Sequence, residues 1–248
     1  MAQEVYKELY EVMKKRRGPY TGVEIPEFYD MVAELFTPQE AEVNNMMPRK
    51  PATAAEIAGE MDRDEGEIKA ILETMADKGL CKTYRQDNVR LYQGEPFMPG
   101  IFEYQFMSGK ATDRDRKIAG LIKAYKKAFN AARGELKMTF PVTRVIPVDR
   151  TIEAGNTVHT YDQVSTYIDK NETIGVGTCY CRQASKLVGE DTHGMPMEVC
   201  MWFGNMAEYA IERLGAHQMT KVEAKKVLDT AEEAGLVHMS RNTTESVN

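Results

Sequence analysis

The chain has 248 residues, 42% of them hydrophobic, with a formal net charge of −6 and four cysteines. That length and composition suit a globular protein of one large or two ordinary domains, and no uninterrupted apolar run approaches the ~20 residues a transmembrane helix needs. With acidic residues early and no leader pattern, a cytoplasmic location and no membrane insertion are expected, and in that reducing setting paired cysteines point to metal or redox chemistry rather than a disulfide.

The acid is concentrated at the N-terminal end. Residues 1–100 hold 13 Lys and Arg against 19 Asp and Glu, whereas residues 101–248 hold 19 of each. Within the acidic part, Thr37-Pro38-Gln39-Glu40 combines an N-cap, a first-turn proline and a returning glutamate, so a helix is predicted to start there. Thr53-Ala54-Ala55-Glu56 repeats the capping box and opens a short helix through Ile57, Ala58 and Met61. Asp62-Arg63-Asp64 then supplies a turn and a new cap. Ile68, Ile71, Leu72 and Met75 follow at helical spacing, and Gly79 stands where a C-terminal glycine belongs. Leu80–Tyr84, a polar turn at Gln86-Asp87-Asn88, and Val89–Tyr92 complete a β-hairpin. Helix, turn, helix and hairpin in this order, over about 50–95, read as a winged helix-turn-helix.

The charges speak against DNA as the partner of this module. Asp64–Lys78, the segment that would enter the major groove, carries five acidic residues (Asp64, Glu65, Glu67, Glu73, Asp77) against Lys69 and Lys78. Phosphate neutralisation supplies much of the affinity for DNA, and this helix would oppose it. The wing cations Lys82, Arg85 and Arg90 are few. A structural or protein-contact role is therefore favoured, and DNA binding is kept as the disfavoured reading.

Beyond Pro99-Gly100 a second unit is expected, dividing the chain into 1–99 and 100–248. Asp113–Arg133 is a long amphipathic helix with Ile118, Leu121, Ile122, Tyr125 and Phe129 on one face. Its Lys117, Lys123, Lys126 and Lys127 read first as a solvated face, and more sharply as a docking surface for an acidic redox partner such as a ferredoxin. Thr139–Val148, β-branched and broken by Pro141 and Pro147, reads as an edge strand. Tyr161–Lys170 should be helical, and Ile174–Thr178 a short strand leading into Cys179. Gly175 and Gly177 would let backbone approach a bound centre, but no phosphate loop follows them.

The chemistry is concentrated just after that strand. Cys179-Tyr180-Cys181-Arg182, His193 and Cys200 bring three thiols and one imidazole into 22 residues. Sulfur and imidazole nitrogen are donors that suit zinc or the corners of an iron-sulfur cluster. The CxC pair is expected to face one centre from a tight, non-helical turn, with His193 and Cys200 closing it across a loop containing Gly189, Gly194 and Pro196. Arg182, next to Cys181, is read as lowering a thiolate's pKa or donating to a cluster sulfur, or, at a surface, as merely solvated. Trp202, Phe203, Met206, Met195, Met197 and Met201 would form an apolar wall, or simply core. Cys81, alone at the end of a helical stretch, is read as a small core residue, and His217 and His238 as replacement ligands. Two helices should follow, about Phe203–Leu214 and from the capping box at Thr220 to Gly235, the latter with Val222, Val227, Leu228 and Ala231 inward. No phosphate loop, dinucleotide fingerprint or spaced nucleophile-base pair marks an independent enzyme.

Several segments together resemble one family. They are Leu35–Glu42, the winged-helix pattern, Pro96–Tyr104, Arg144–Val148, Cys179–Arg182 and Ala231–His238. The set resembles anaerobe 4Fe-4S binding (ferredoxin-type) proteins, which have an N-terminal winged-helix domain, a CxCR metal-site domain and, typically, a cysteine-dense ferredoxin part with two 4Fe-4S motifs. This chain stops at Asn248 without that part. In the family two further cysteines follow CxCR. Here Cys200 matches the second, and His193, seven residues earlier, takes the place of the first, which selects it over the other histidines.

The resemblance implies a mainly helical α+β fold, a 4Fe-4S cluster on Cys179, Cys181, His193 and Cys200, and an electron-transfer or accessory role in an anaerobic redox system. A redox partner protein or ferredoxin and a homo-oligomer are the expected partners. From the donor set alone a structural zinc site stays open, and a cluster-sensing transcriptional regulator is the remaining functional reading.

Overall fold

A computed structural model describes residues 2–16, 23–48, 50–133, 143–145 and 164–241. The fold is α+β and mainly helical, with small antiparallel sheets. Helix α1 (Ala2–Lys15) packs on α2 (Pro26–Leu35) and α3 (Pro38–Met46). Thr37 caps α3 through a reciprocal capping box with Glu40, and Thr53 does the same with Glu56 for α4 (Ala54–Met61). Each box satisfies two end amides that would otherwise need water, so these starts are fixed by four-residue signals. Helix α4 ends on Asp62 in the left-handed region, and Asp64 caps α5 (Glu65–Asp77) by accepting from the Glu67 amide.

Strands β1 (Cys81–Gln86) and β2 (Val89–Gly94) form the expected hairpin. Its turn residues Asp87 and Asn88 both have positive φ, the conformation whose twist matches the two strands. A bridge from Ala52 to Tyr92 ties the start of α4 to this hairpin. A turn over Phe97–Ile101, with a cis Met98–Pro99 peptide, leads into the short α6 (Phe102–Tyr104). Helix α7 (Asp113–Arg133) follows and packs on α2. Its residues Ile118, Ile122, Tyr125 and Phe129 are buried.

Strand β3 (Thr143–Val145) pairs antiparallel with β7 (Met239–Arg241). The rest of the expected edge strand, with Pro141 and Pro147, lies outside the described residues, as does the start of the helix seen as α8 (Val164–Lys170). A three-stranded antiparallel sheet has β4 (Ile174–Thr178) at its centre, between β5 (Glu198–Phe203) and β6 (His217–Gln218). Helix α9 (Tyr180–Leu187) fills the connection from β4 to β5. Helix α10 (Gly204–Arg213) leaves β5 directly, and α11 (Lys221–Glu233) starts on the Thr220–Glu223 capping box.

One large apolar cluster runs from Tyr6 on α1 to Ala216 before β6, and so crosses the expected division at residue 99. Phe28 is at its aromatic heart, with ring centroids of Tyr10, Tyr29, Phe97 and Tyr125 at 5.5, 5.4, 5.7 and 6.0 Å. Cys81 is fully buried in the same cluster, as expected of a small core residue. A second cluster joins Val164, Ile168, Ile174, Ala224 and Leu228 on the other side of the sheet. In α11 the inward residues are Ala224, Leu228 and Ala231, whereas Val222 is 65% exposed. Helical phase explains the difference: Ala224, Leu228 and Ala231 are spaced at four and three residues, and Val222 falls off that stripe.

The hairpin and α5 are fastened to α10. Tyr209 donates its hydroxyl to the Ala76 carbonyl at 2.9 Å. Arg213 reaches Glu73 at 2.5 Å and Asp77 at 2.6 Å, while Arg90 donates both terminal nitrogens to Glu212 at 2.6 and 2.7 Å. Glu73 also accepts from the Tyr92 hydroxyl.

Candidate metal centre

The fully buried strand β4 delivers the chain to Cys179, whose amide donates to the Met197 carbonyl at 2.6 Å. Cys179 is the N-cap of α9, and Cys181 sits in the helix's first turn. The CxC pair therefore spans a strand-to-helix junction rather than the non-helical turn expected. Cys179 makes no side-chain cap hydrogen bond there, and one residue separates it from Cys181 on the helix. Cys200 arrives from β5, opposite Gly177 in the sheet.

The junction brings the three thiols together. Cys179 neighbours both Cys181 and Cys200. Those two contacts, more than any other influence, hold the Cys179 thiol far below its ordinary value; the Arg182 amide and its guanidinium charge act in the same direction, against the cost of burial. Cys181 and Cys200 are pushed up, chiefly by their proximity to Cys179. A helix start favours negative charge, and the backbone amides of Arg182 and Tyr180 act to lower Cys179 and Cys200 respectively. The Arg182 guanidinium is held by the Pro196 carbonyl at 3.2 Å.

His193 is placed differently. It occupies a turn with φ +54°, its side chain is 79% exposed, and its Nδ1 lies 3.0 Å from Asp191 Oδ2. The Asp191 carboxylate also accepts from the His193 amide at 2.7 Å, so one side chain holds both backbone and ring. Of the other histidines, His217 is exposed on β6 and His238 pairs with Glu232 at 3.3 Å. Among the described residues no group of three or more His, Cys, Asp or Glu side chains is arranged so that it could hold a metal ion. The three thiols are neighbours, and the fourth candidate faces solvent.

The surroundings divide by strand alternation. Cys200 and Trp202 share one face of β5, and Trp202 packs towards the large cluster. Met201 and Phe203 point the other way, into the second cluster, and are not part of a wall around the thiols. Gly177 has a packing role: a Cβ there would lie 3.2 Å from the Trp202 ring and 3.2 Å from Ala216 Cα. Gly175 likewise gives α10 room, since its Cβ would meet Ile211 at 3.4 Å.

Sequence reading missed the residues that come from far upstream. Glu103, buried on α6, accepts the Gly100 amide at 2.6 Å, and its charge helps raise Cys181. Gln183, 4% exposed, donates to the carbonyls of Gly109 and Lys110 at 3.0 and 2.7 Å and so fixes α9 against that loop. The signal was a lone amide in an otherwise basic helix, which by itself names no partner. A cleft of about 260 Å³ opens between α7, α9 and the Met98–Phe106 stretch, with Cys181 in its lining. No protein-family model, curated protein or solved structure matches this chain.

Proposed function

We propose that the protein binds a 4Fe-4S cluster through Cys179, Cys181 and Cys200, with His193 as the fourth ligand, and acts as an electron-transfer or accessory component of a redox system. The observation that carries this reading is that three thiols, the outermost 21 residues apart in the chain, are neighbours beside one helix start. A bound cluster would supply one-electron chemistry. The Arg182 charge would favour thiolate at the site, and Trp202, on the same face of β5 as Cys200, would limit water on one side. A Cys3His zinc site is the second reading, favoured by the same donor set.

The helix-turn-helix and hairpin are proposed to be a winged helix used for protein contact. The acidic helix α5 spends Glu73 and Asp77 on Arg213, and of the wing cations Arg90 is bound to Glu212 and Lys82 lies 3.4 Å from Glu95. Little positive charge is left for phosphates, so DNA remains the disfavoured partner. The natural partner of the proposed centre is a redox protein or ferredoxin.

Anaerobic purification followed by iron, sulfide and zinc analysis, with a visible spectrum, tests the centre. Matching iron and sulfide with a broad visible band is expected, lost in Cys200→Ser and altered in His193→Ala. One zinc per chain without colour would select the zinc reading, and a metal-free protein would sink both.

A further inference from the structure

The cleft beside Cys181 is built for more than access. Its floor and walls are apolar, from Met98, Phe102, Phe106, Ile122 and Val188. Two lysines of α7, one turn apart, stand in its lining. Lys123 is neutralised: its Nζ is 2.6 Å from Glu190, whose other oxygen accepts from Ser185 at 2.8 Å. Lys126 is not. Its ammonium lies 5.5 Å from the centroid of the Phe102 ring, and among the described residues it has no carboxylate partner.

We infer that this cleft is a binding site for a small organic carboxylate with an aromatic or alkyl body. An apolar slot with one uncompensated cation selects a ligand that is apolar along its length and anionic at one end. The Lys123–Glu190–Ser185 chain closes one side of the rim and cancels its own charge, which leaves Lys126 to set the sign. Phe102, stacked on Phe97 with ring centroids 5.2 Å apart, backs the apolar slot and lies beside that ammonium. At about 260 Å³ the space suits a single ring with a short acid chain and excludes nucleotides and larger cofactors. The inference rests on the cleft alone and holds with or without a metal at the thiols.

Isothermal titration of the full chain with 3-phenylpropionate and with its neutral amide provides the test. The carboxylate is expected to bind about tenfold more tightly than the amide, the ordinary scale of one hydrogen bond to a charged group in a partly dry site. Lys126→Met should erase that preference, Lys123→Met should leave most of it, and Ala184→Phe, which projects into the cleft, should abolish binding of both ligands. Val188→Phe replaces Ala184→Phe should the latter fail to melt cooperatively. Failure of the wild type to bind either compound, equal affinity for the two, or unchanged binding to the filled-cleft variant would overturn the inference.

Discussion

The N-terminal helices and the thiol-bearing sheet reach their structures by different routes. In the first, each helix start is written within four residues: Thr37 with Glu40, Thr53 with Glu56, Asp64 with the Glu67 amide. In the second, the chemistry depends on chain segments that meet only in the fold. Cys200 reaches Cys179 because β5 pairs with β4, and the cleft beside Cys181 is walled by α7 and Phe102, more than fifty residues upstream. Local signals place elements. Long-range pairing places function.

The sharpest way to test this difference is to cut into each apolar cluster. Phe28→Ala removes the ring around which four other aromatics are arranged, and should cost about 4 kcal/mol by denaturant unfolding, the upper range for truncating a buried aromatic. Ile168→Ala, in the second cluster, should cost about 2–3 kcal/mol, the lower part of the range for a buried aliphatic. Equal losses would mean that the second cluster carries as much of the fold as the first.

The seam between the regions gives the next effect. Arg213 is 13% exposed and binds Glu73 and Asp77 together, so Arg213→Ala leaves two carboxylates on α5 without their cation. About 2 kcal/mol of stability should be lost, the scale of charge-assisted hydrogen bonds at a half-wet site. Arg213→Lys, which cannot bridge both acids with one planar fork, should recover only part of it. A fully stable Arg213→Ala protein would show that Tyr209 and the shared core hold the seam alone.

What the sequence made legible follows the same division. The caps, the Asp87-Asn88 turn and the buried face of α7 were readable because each is set by residues within one or two turns of each other. The three cysteines were readable as a set, but not the helix that carries Cys181, since CxC spacing alone does not distinguish a turn from an N-cap and first turn. Strand β5 was missed although Val199–Phe203 is a run of β-formers, and with it the alternation that sends Met201 and Phe203 away from Cys200. His193 was selected by position in the chain. Its pairing with Asp191 is equally local, two residues away, and that contact competes with any role as ligand. Gln183 carries no signal of its own, because its partners at Gly109 and Lys110 are far off in sequence.

A smaller effect appears as acid is added. The Arg90 hydrogen bond is the largest influence on Glu212 and holds it below its ordinary value of 4.5; Glu73 is also lowered, its bonds from Tyr92 and Arg213 outweighing burial. A depressed carboxylate contributes stability that is full above the ordinary value and is lost as pH falls through the folded one. The melting temperature of the wild type should therefore decline as pH drops below 4.5, and in Arg90→Ala and Arg213→Ala that part of the decline should be shallower, measured from pH 7 to pH 3. Parallel curves for wild type and variants would mean that these pairs do not tie α5 and the hairpin to α10.

The smallest expected effect bears most directly on the contrast. Thr53 and Thr220 head equivalent capping boxes, one in the locally written region and one beside the sheet. In each, the hydroxyl accepts from the third amide at 3.2 Å while the glutamate returns to the threonine amide at 2.7 or 2.8 Å. The hydrogen-bond inventory is the same, so Thr53→Ala and Thr220→Ala should each cost about 1 kcal/mol, whatever the size of the core behind the helix. If the two differ by much more than their errors, helix starts take their strength from tertiary surroundings even where the box is complete. If they agree while Phe28→Ala and Ile168→Ala do not, the regions differ in how their distant parts are packed and not in how their helices begin.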